Sequence, residues 1–365
     1  MIDDNFVINA VVHAYDLRDQ NLCPNKYSSA VRDVLAAGHL HWQPPGVGLD
    51  LPLLFTDWPM EVLAKTLFLE SDCDMAATHT LRLNSVFKDG LCSEAKTIEA
   101  VRRWPHRFIG YIGLDPTLGL ETLLREFDEQ MDRMPEAVGV KLYPAQVDPH
   151  RCWRMDDVDL VFPLYERAQS RGIKVIAVHK AVPFATMPMN PFRVDDVDLA
   201  ADAFPDLAFE VVHAGLAFVE ETAQALARFP NVYANLEITC ALINAKPGIF
   251  EAAMAEMMTW GGPSKILFGD GALVFHSQLI LEKLRNFRFS QQILDRYGLE
   301  QITNADLAMI MGQNFARMVG IDIAEAKKKI AEDEFSRERE KTGIQPLYSN
   351  WRKYLEETGH GRVAS

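Results

Sequence analysis

The sequence predicts an α/β protein, a (β/α)8 TIM barrel with an insertion after its first strand and a helical arm at its C-terminal end. Three observations predict it. Eight short apolar runs rich in Val, Ile and Phe recur along the chain, amphipathic stretches separate most of them, and polar side chains collect where the runs end. The runs are too short for buried helices. A doubly wound open sheet is the competing arrangement, and it usually has fewer strands. Right-handed crossovers are expected in either case.

The first run, NFVINAVVH (5–13), ends on His13. It is followed by a long excursion, 16–58, which contains HLHWQPPGVGLDLPLLF and reads as an insertion or lid. His39 and His41 offer a His-x-His pair there, but on an irregular segment, where surface or lid chemistry is the better reading. The second run, DMAATHTL (74–81), passes His79 and leads to Arg82. RFIGYIGLD (107–115) is the third, and AVGVKLYP (137–144) the fourth, carrying Lys141 and Tyr143. KVIAVH (174–179) ends on His179, LAFEVVHAG (207–215) carries His213, NVYANLE (231–237) ends on Glu237, and KILFGDG (265–271) holds Asp270. Between them, 119–134 places Leu120, Leu123, Leu124, Phe127 and Met131 at helical spacing, and 156–172 and 217–230 read alike. Residues 1–320 are expected to form the barrel, and 321–365 a charged helical arm, in which AEAKKKIAEDEFSRERE looks like a solvated helix and reads as an exposed or docking arm rather than a catalytic element.

Composition bounds the function. With 365 residues, 48% apolar and 24% charged, the chain can fill a large core. A net charge of −14 does not favour nucleic acid or an anionic membrane surface. Cys23, Cys73, Cys92, Cys152 and Cys240 are scattered and odd in number, which argues against a disulfide framework or a cysteine zinc site and fits a reducing cytoplasm. No signal-peptide pattern opens the chain, and no apolar stretch approaches the length of a membrane span. G-x-G-x-x-G, G-x-x-x-x-G-K and G-x-S-x-G are all missing, which removes the commonest nucleotide-dependent and serine-hydrolase readings.

The strand ends carry the functional expectation. A barrel of this class places its active site at the C-terminal face. Any one polar residue there reads equally well as a satisfied core group. The whole set in strand-end register reads better as a site, because buried charge is costly unless paired or bound to metal. Imidazole and carboxylate ligands suit zinc or manganese. Such an ion lowers the pKa of bound water or polarises a substrate oxygen, while a histidine or carboxylate moves protons.

At these residues the chain resembles the amidohydrolase superfamily, in its amidohydrolase-related branch, which includes aminocarboxymuconate-semialdehyde decarboxylase and γ-resorcylate decarboxylase. GVKLYP, VIAVHKA, FEVVHAG with FPNVYANLE, KILFGDG and IMGQNFARMVG (309–320) carry the resemblance, over about residues 5 to 320. It implies one divalent metal per chain, zinc first and manganese second, on His13, His179 and Asp270. It also implies His213 and Asp270 as proton carriers; Glu237 reads as a proton carrier or a partner to a histidine, and equally well as a structural hydrogen bond. Lys141, Arg82 and Tyr143 are the candidate substrate contacts, Arg82 as a bidentate carboxylate anchor. Two departures stand out: Val11 occupies the place of a first-strand ligand, and Gly269-Asp270-Gly271 carries the last acid one place early. The expected activity is metal-dependent hydrolysis of a small aromatic or ring-derived carboxylated or amide-type compound. Non-oxidative decarboxylation is the alternative, and a metal-free or non-catalytic barrel is the third reading. A homodimer or higher homo-oligomer is expected, with a small molecule as the other partner.

Overall fold

Eight parallel strands form β1 (Ile8–Val12), β2 (Met75–His79), β3 (Phe108–Leu114), β4 (Gly139–Leu142), β5 (Val175–His179), β6 (Ala208–Val212), β7 (Val232–Asn235) and β8 (Ile266–Leu267). They pair in chain order. The sheet closes on itself: Ala10 N donates to Phe268 O (2.8 Å), His13 N donates to Ala272 O (2.7 Å), and Val12 bridges Ala272 in parallel. This is the (β/α)8 barrel that the sequence predicts. The computed structural model describes residues 5–184, 186–214 and 216–358; Gly215 of the expected sixth strand and 359–365 of the expected arm lie outside the described residues.

Each expected strand is present and shorter than its apolar run, because the ladder needs a neighbour in register and the run does not. The helices expected over 119–134, 156–172 and 217–230 form at Leu120–Arg133, Phe162–Ser170 and Val219–Arg228. Close approach between β2 and β3 requires a glycine at 113: a Cβ there would lie 2.3 Å from the Thr80 carbonyl oxygen.

Two regions differ from expectation. His39 and His41 sit on a regular helix, Ser28–His41, not on an irregular segment. His39 is fully buried, with Nδ1 against Val274 O (2.7 Å) and Leu49 N donating to Nε2 (2.6 Å), so it ties the excursion to the segment after β8. The charged arm is helical, at Ile323–Ile330, Glu334–Thr342 and Ser349–Glu357, but it is docked rather than solvated. Arg107 grips Asp333 with two hydrogen bonds (2.5 and 2.9 Å), Arg339 Nη2 reaches Asp72 (2.6 Å), and Phe335 is buried. Farther on, Trp351 stacks on Trp58 at 3.9 Å with both rings buried. Charge along these helices hid the few large apolar residues that face the barrel.

Candidate active site

Strand alternation decides which side chains enter the barrel. Ile109 and Tyr111, Val175 and Ala177, and Ala208 and Val212 point inward and share one apolar cluster with Ile8 and Leu267. Counting on in steps of two from these residues gives His179 on β5 and Glu210 within β6. At the C-terminal ends a small cavity of ≈ 50 Å³ is lined by His13, Tyr15, Tyr143, His179, His213 and Glu237, and walled by Leu35, Leu81, Leu91, Val274 and Phe275. The backbone turns sharply at this level. Ala181, His213 and Ile238 have φ of 63°, 66° and 60°. Left-handed backbone costs a non-glycine residue about 1–3 kcal/mol, and such strain clusters at functional sites. The two histidines that end apolar runs therefore do so at a built corner.

The polar groups form one chain. His213 Nε2 lies 3.0 Å from His179 Nδ1 and 3.6 Å from Glu237 Oε2. His13 Nε2 lies 3.3 Å from Glu237 Oε1. The outer nitrogens face backbone carbonyls, His213 Nδ1 against Glu237 O (3.2 Å) and His179 Nε2 against Val182 O (2.8 Å). A carbonyl only accepts, so both outer nitrogens carry hydrogen. The edge between the inner nitrogens then holds a single shared proton when the pair is charged, and two facing lone pairs when it is not.

Burial sets the electrostatics. It lowers His13 and lowers His79 and His179 well below the usual imidazole range, and it brings His213 to about 4. Burial also opposes ionisation of Glu237, but His213, His13 and Lys141 outweigh it and hold the carboxyl below the ordinary range. The site at neutral pH is one carboxylate among imidazoles that release protons readily. Beneath it, burial raises Glu210 to about 7, with Asn235 Nδ2 donating to Oε1 at 2.5 Å.

The other expected site residues fall elsewhere. Asp270 does not line the cavity. Asn9 Nδ2 (2.6 Å) and Ala272 N (2.9 Å) donate to its Oδ1, and burial raises its pKa to about 6. Arg82 pairs with Glu126 (2.9 Å) and lines a separate cleft with Asp16, Lys88 and Glu94, so it cannot anchor a substrate at the mouth. Tyr143 stacks against His179 with centroids 5.0 Å apart. Lys141 is buried, and its Nζ has no hydrogen-bond partner. Lys180, next to His179, is spent on Asp196 at 2.8 Å. Sequence reasoning missed Tyr15, Asn9 and Glu210. A polar residue inside an apolar run (INAVV, AFEVV) was the available signal for the last two.

These donors do not fit the expected metal centre. Val11 offers no ligand; Asp270 Oδ1 accepts from Asn9 and Ala272, while its Oδ2 has no hydrogen-bond partner and lies outside the cavity lining; His179 Nε2 is held by the Val182 carbonyl, while its Nδ1 faces His213 Nε2. Among the described residues no group of three or more His, Cys, Asp or Glu side chains is arranged to hold a metal ion.

Barrel and strand-end cluster define an α/β-barrel protein with a buried imidazole–carboxylate cluster at its C-terminal face. A family model described as amidohydrolase matches residues 38–321, and the chain belongs to that family. No curated protein matches. Among solved structures, an uncharacterised TIM-barrel protein of Bordetella bronchiseptica is 16% identical at TM-score 0.60, covering 86% of this chain and 98% of its own. A probable 2-pyrone-4,6-dicarboxylic acid hydrolase of Acinetobacter baumannii is 12% identical at TM-score 0.52 (86% and 99%). A 5-carboxyvanillate decarboxylase of Novosphingobium aromaticivorans with bound manganese is 12% identical at 0.53 (87% and 97%). At such identities the likeness is one of fold. Among the described residues no helix is long and apolar enough to cross a membrane.

Proposed function

We propose that the chain is an enzyme that performs acid–base chemistry on a small ring-derived compound in the mouth cavity, with hydrolysis as the first reaction and non-oxidative decarboxylation as the second. The observation that carries this is the buried His179–His213–Glu237 chain at the strand ends, with spacings of 3.0 and 3.6 Å. Family membership and neighbours named as a ring hydrolase and an aromatic-acid decarboxylase support the substrate class. His213 accepts a proton from water or a substrate hydroxyl and returns it to the leaving atom, His179 shares that proton, and Glu237 stabilises the charged pair. Lys141 lies outside the cavity lining and acts electrostatically on His13, His179, His213 and Glu237. Tyr143 and Tyr15 offer aromatic faces to a ring.

The test is turnover of a panel of lactones, cyclic amides and carboxylated aromatics in heavy-oxygen water. Label in the organic product marks hydrolysis; release of carbon dioxide with an unlabelled organic product marks decarboxylation. His213→Asn and Glu237→Gln should each lower kcat by about 10²–10⁴-fold with the fold intact. Turnover that survives both substitutions would remove the proposal.

A further inference from the structure

The mouth cavity is ≈ 50 Å³, room for water but not for a ring. A cavity that binds benzene is nearer ~150 Å³. A wall must move for a ring compound to enter. Two walls are candidates by position. Leu35 comes from the helix Ser28–His41, and Val274 with Phe275 from the segment after β8.

That segment is held from outside by side chains on distant parts of the chain. Tyr348 O–H donates to Leu273 O (3.0 Å). His39 meets Val274 O (2.7 Å), and His276 N donates to Gln43 Oε1 (3.0 Å). Tyr348 Oη also lies 3.1 Å from Gln43 Oε1, so its single hydrogen can serve either hold, one acceptor at a time. Trp42 stacks on Phe275 with rings 11° from parallel. Glu70 anchors the arm beside it: Asn350 N donates to Oε1 (2.7 Å), and Oε2 meets His276 Nε2 (3.0 Å). Tyr348 is fully buried, at a left-handed φ of 53°, and thus sits at the point where the arm turns into its last helix.

We propose that Tyr348 is a positioning residue for the cavity: through it the C-terminal arm holds the Leu273–His276 wall shut, and its release admits ring-sized ligands. The inference rests on the reading of this cavity as the active site only for its purpose; the closure itself is testable without turnover. Leu273, Val274 and Phe275 are buried among apolar neighbours and the His276 side chain is held by Glu70, whereas the wall's backbone is fixed by hydrogen bonds from the excursion and the arm. Loss of the phenol hydroxyl leaves Leu273 O without that donor in a buried place and shifts the open–closed balance.

The test is diethyl pyrocarbonate labelling of the full-length protein, with each histidine read by peptide mass. In Tyr348→Phe, His179 and His213 should be labelled about tenfold faster than in wild type, the ratio expected from about 1.4 kcal/mol. Exposed His106 serves as the internal standard and should not change. Unchanged labelling of His179 and His213 in a folded variant overturns the inference. So does an equal rise at every buried histidine, which would mean general loosening. Should Tyr348→Phe not fold, hydrogen exchange of the wild type decides. Peptides 272–276 and 39–43 should exchange together and faster than β4 and β5; exchange as slow as that of the strands overturns the closure model. A turnover failure with faster labelling leaves the closure standing and sinks the proposed reaction instead.

Discussion

His213 carries the most chemistry per atom in this molecule, and its burial has a measurable consequence. Its pKa is about 4 in the folded chain against 6.5 in the unfolded one. The unfolded state therefore takes up a proton first as pH falls. The stability this group contributes is present above pH 6.5 and is lost as pH falls towards 4. Urea unfolding of wild type and His213→Asn over this range should show the wild type losing about 3 kcal/mol relative to the variant. Parallel curves would place His213 outside the cluster. At this scale the sequence was legible where a residue ended a strand: His13, His179, His213 and Glu237 meet as expected. It was not legible where side-chain direction decided. Asp270 ends its run in the expected place, yet its carboxylate turns to Asn9, a partner 261 residues away. Arg82 follows β2 and is taken by Glu126 from the next helix but one. Neither pairing has a local signature.

Strands and helices followed their sequence periods, and the exceptions have physical causes. The β2–β3 contact depends on a missing side chain. Gly113→Ala would push a Cβ to 2.3 Å from Thr80 O, a backbone atom that cannot swing aside. The expected loss is about 2 kcal/mol or more in urea unfolding; a loss under about 0.5 kcal/mol would mean the strands part more easily than their spacing implies. The excursion hid a helix because Ser28–His41 has only a weak apolar stripe, with Val31, Ala36 and His39 buried. The arm was misjudged for the opposite reason. Tyr348, Trp351 and Leu355 do stand at i, i+3 and i+7, but the high charge of the arm before them masked this short stripe.

Across the whole molecule, the barrel gathers residues from β1 to β7 at one face, and the arm covers the outside from Asp333 near the strand starts to Tyr348 near their ends. Eight apolar runs with intervening helices were enough to read the barrel. The family pattern that came with it includes metal ligands, and this chain keeps the imidazoles but not the full set. Val11 stands where a first-strand ligand is expected, the expected ligand Asp270 accepts from Asn9 through Oδ1, and Glu237 is the carboxylate that lies among the histidines. The central claim is that this cluster works on protons and is not a metal centre. Elemental analysis after exposure to zinc or manganese and desalting tests it most directly. The account predicts far less than one ion per chain, the same in wild type and His179→Ala; about one ion per chain, lost in His13→Ala or His179→Ala, would contradict it.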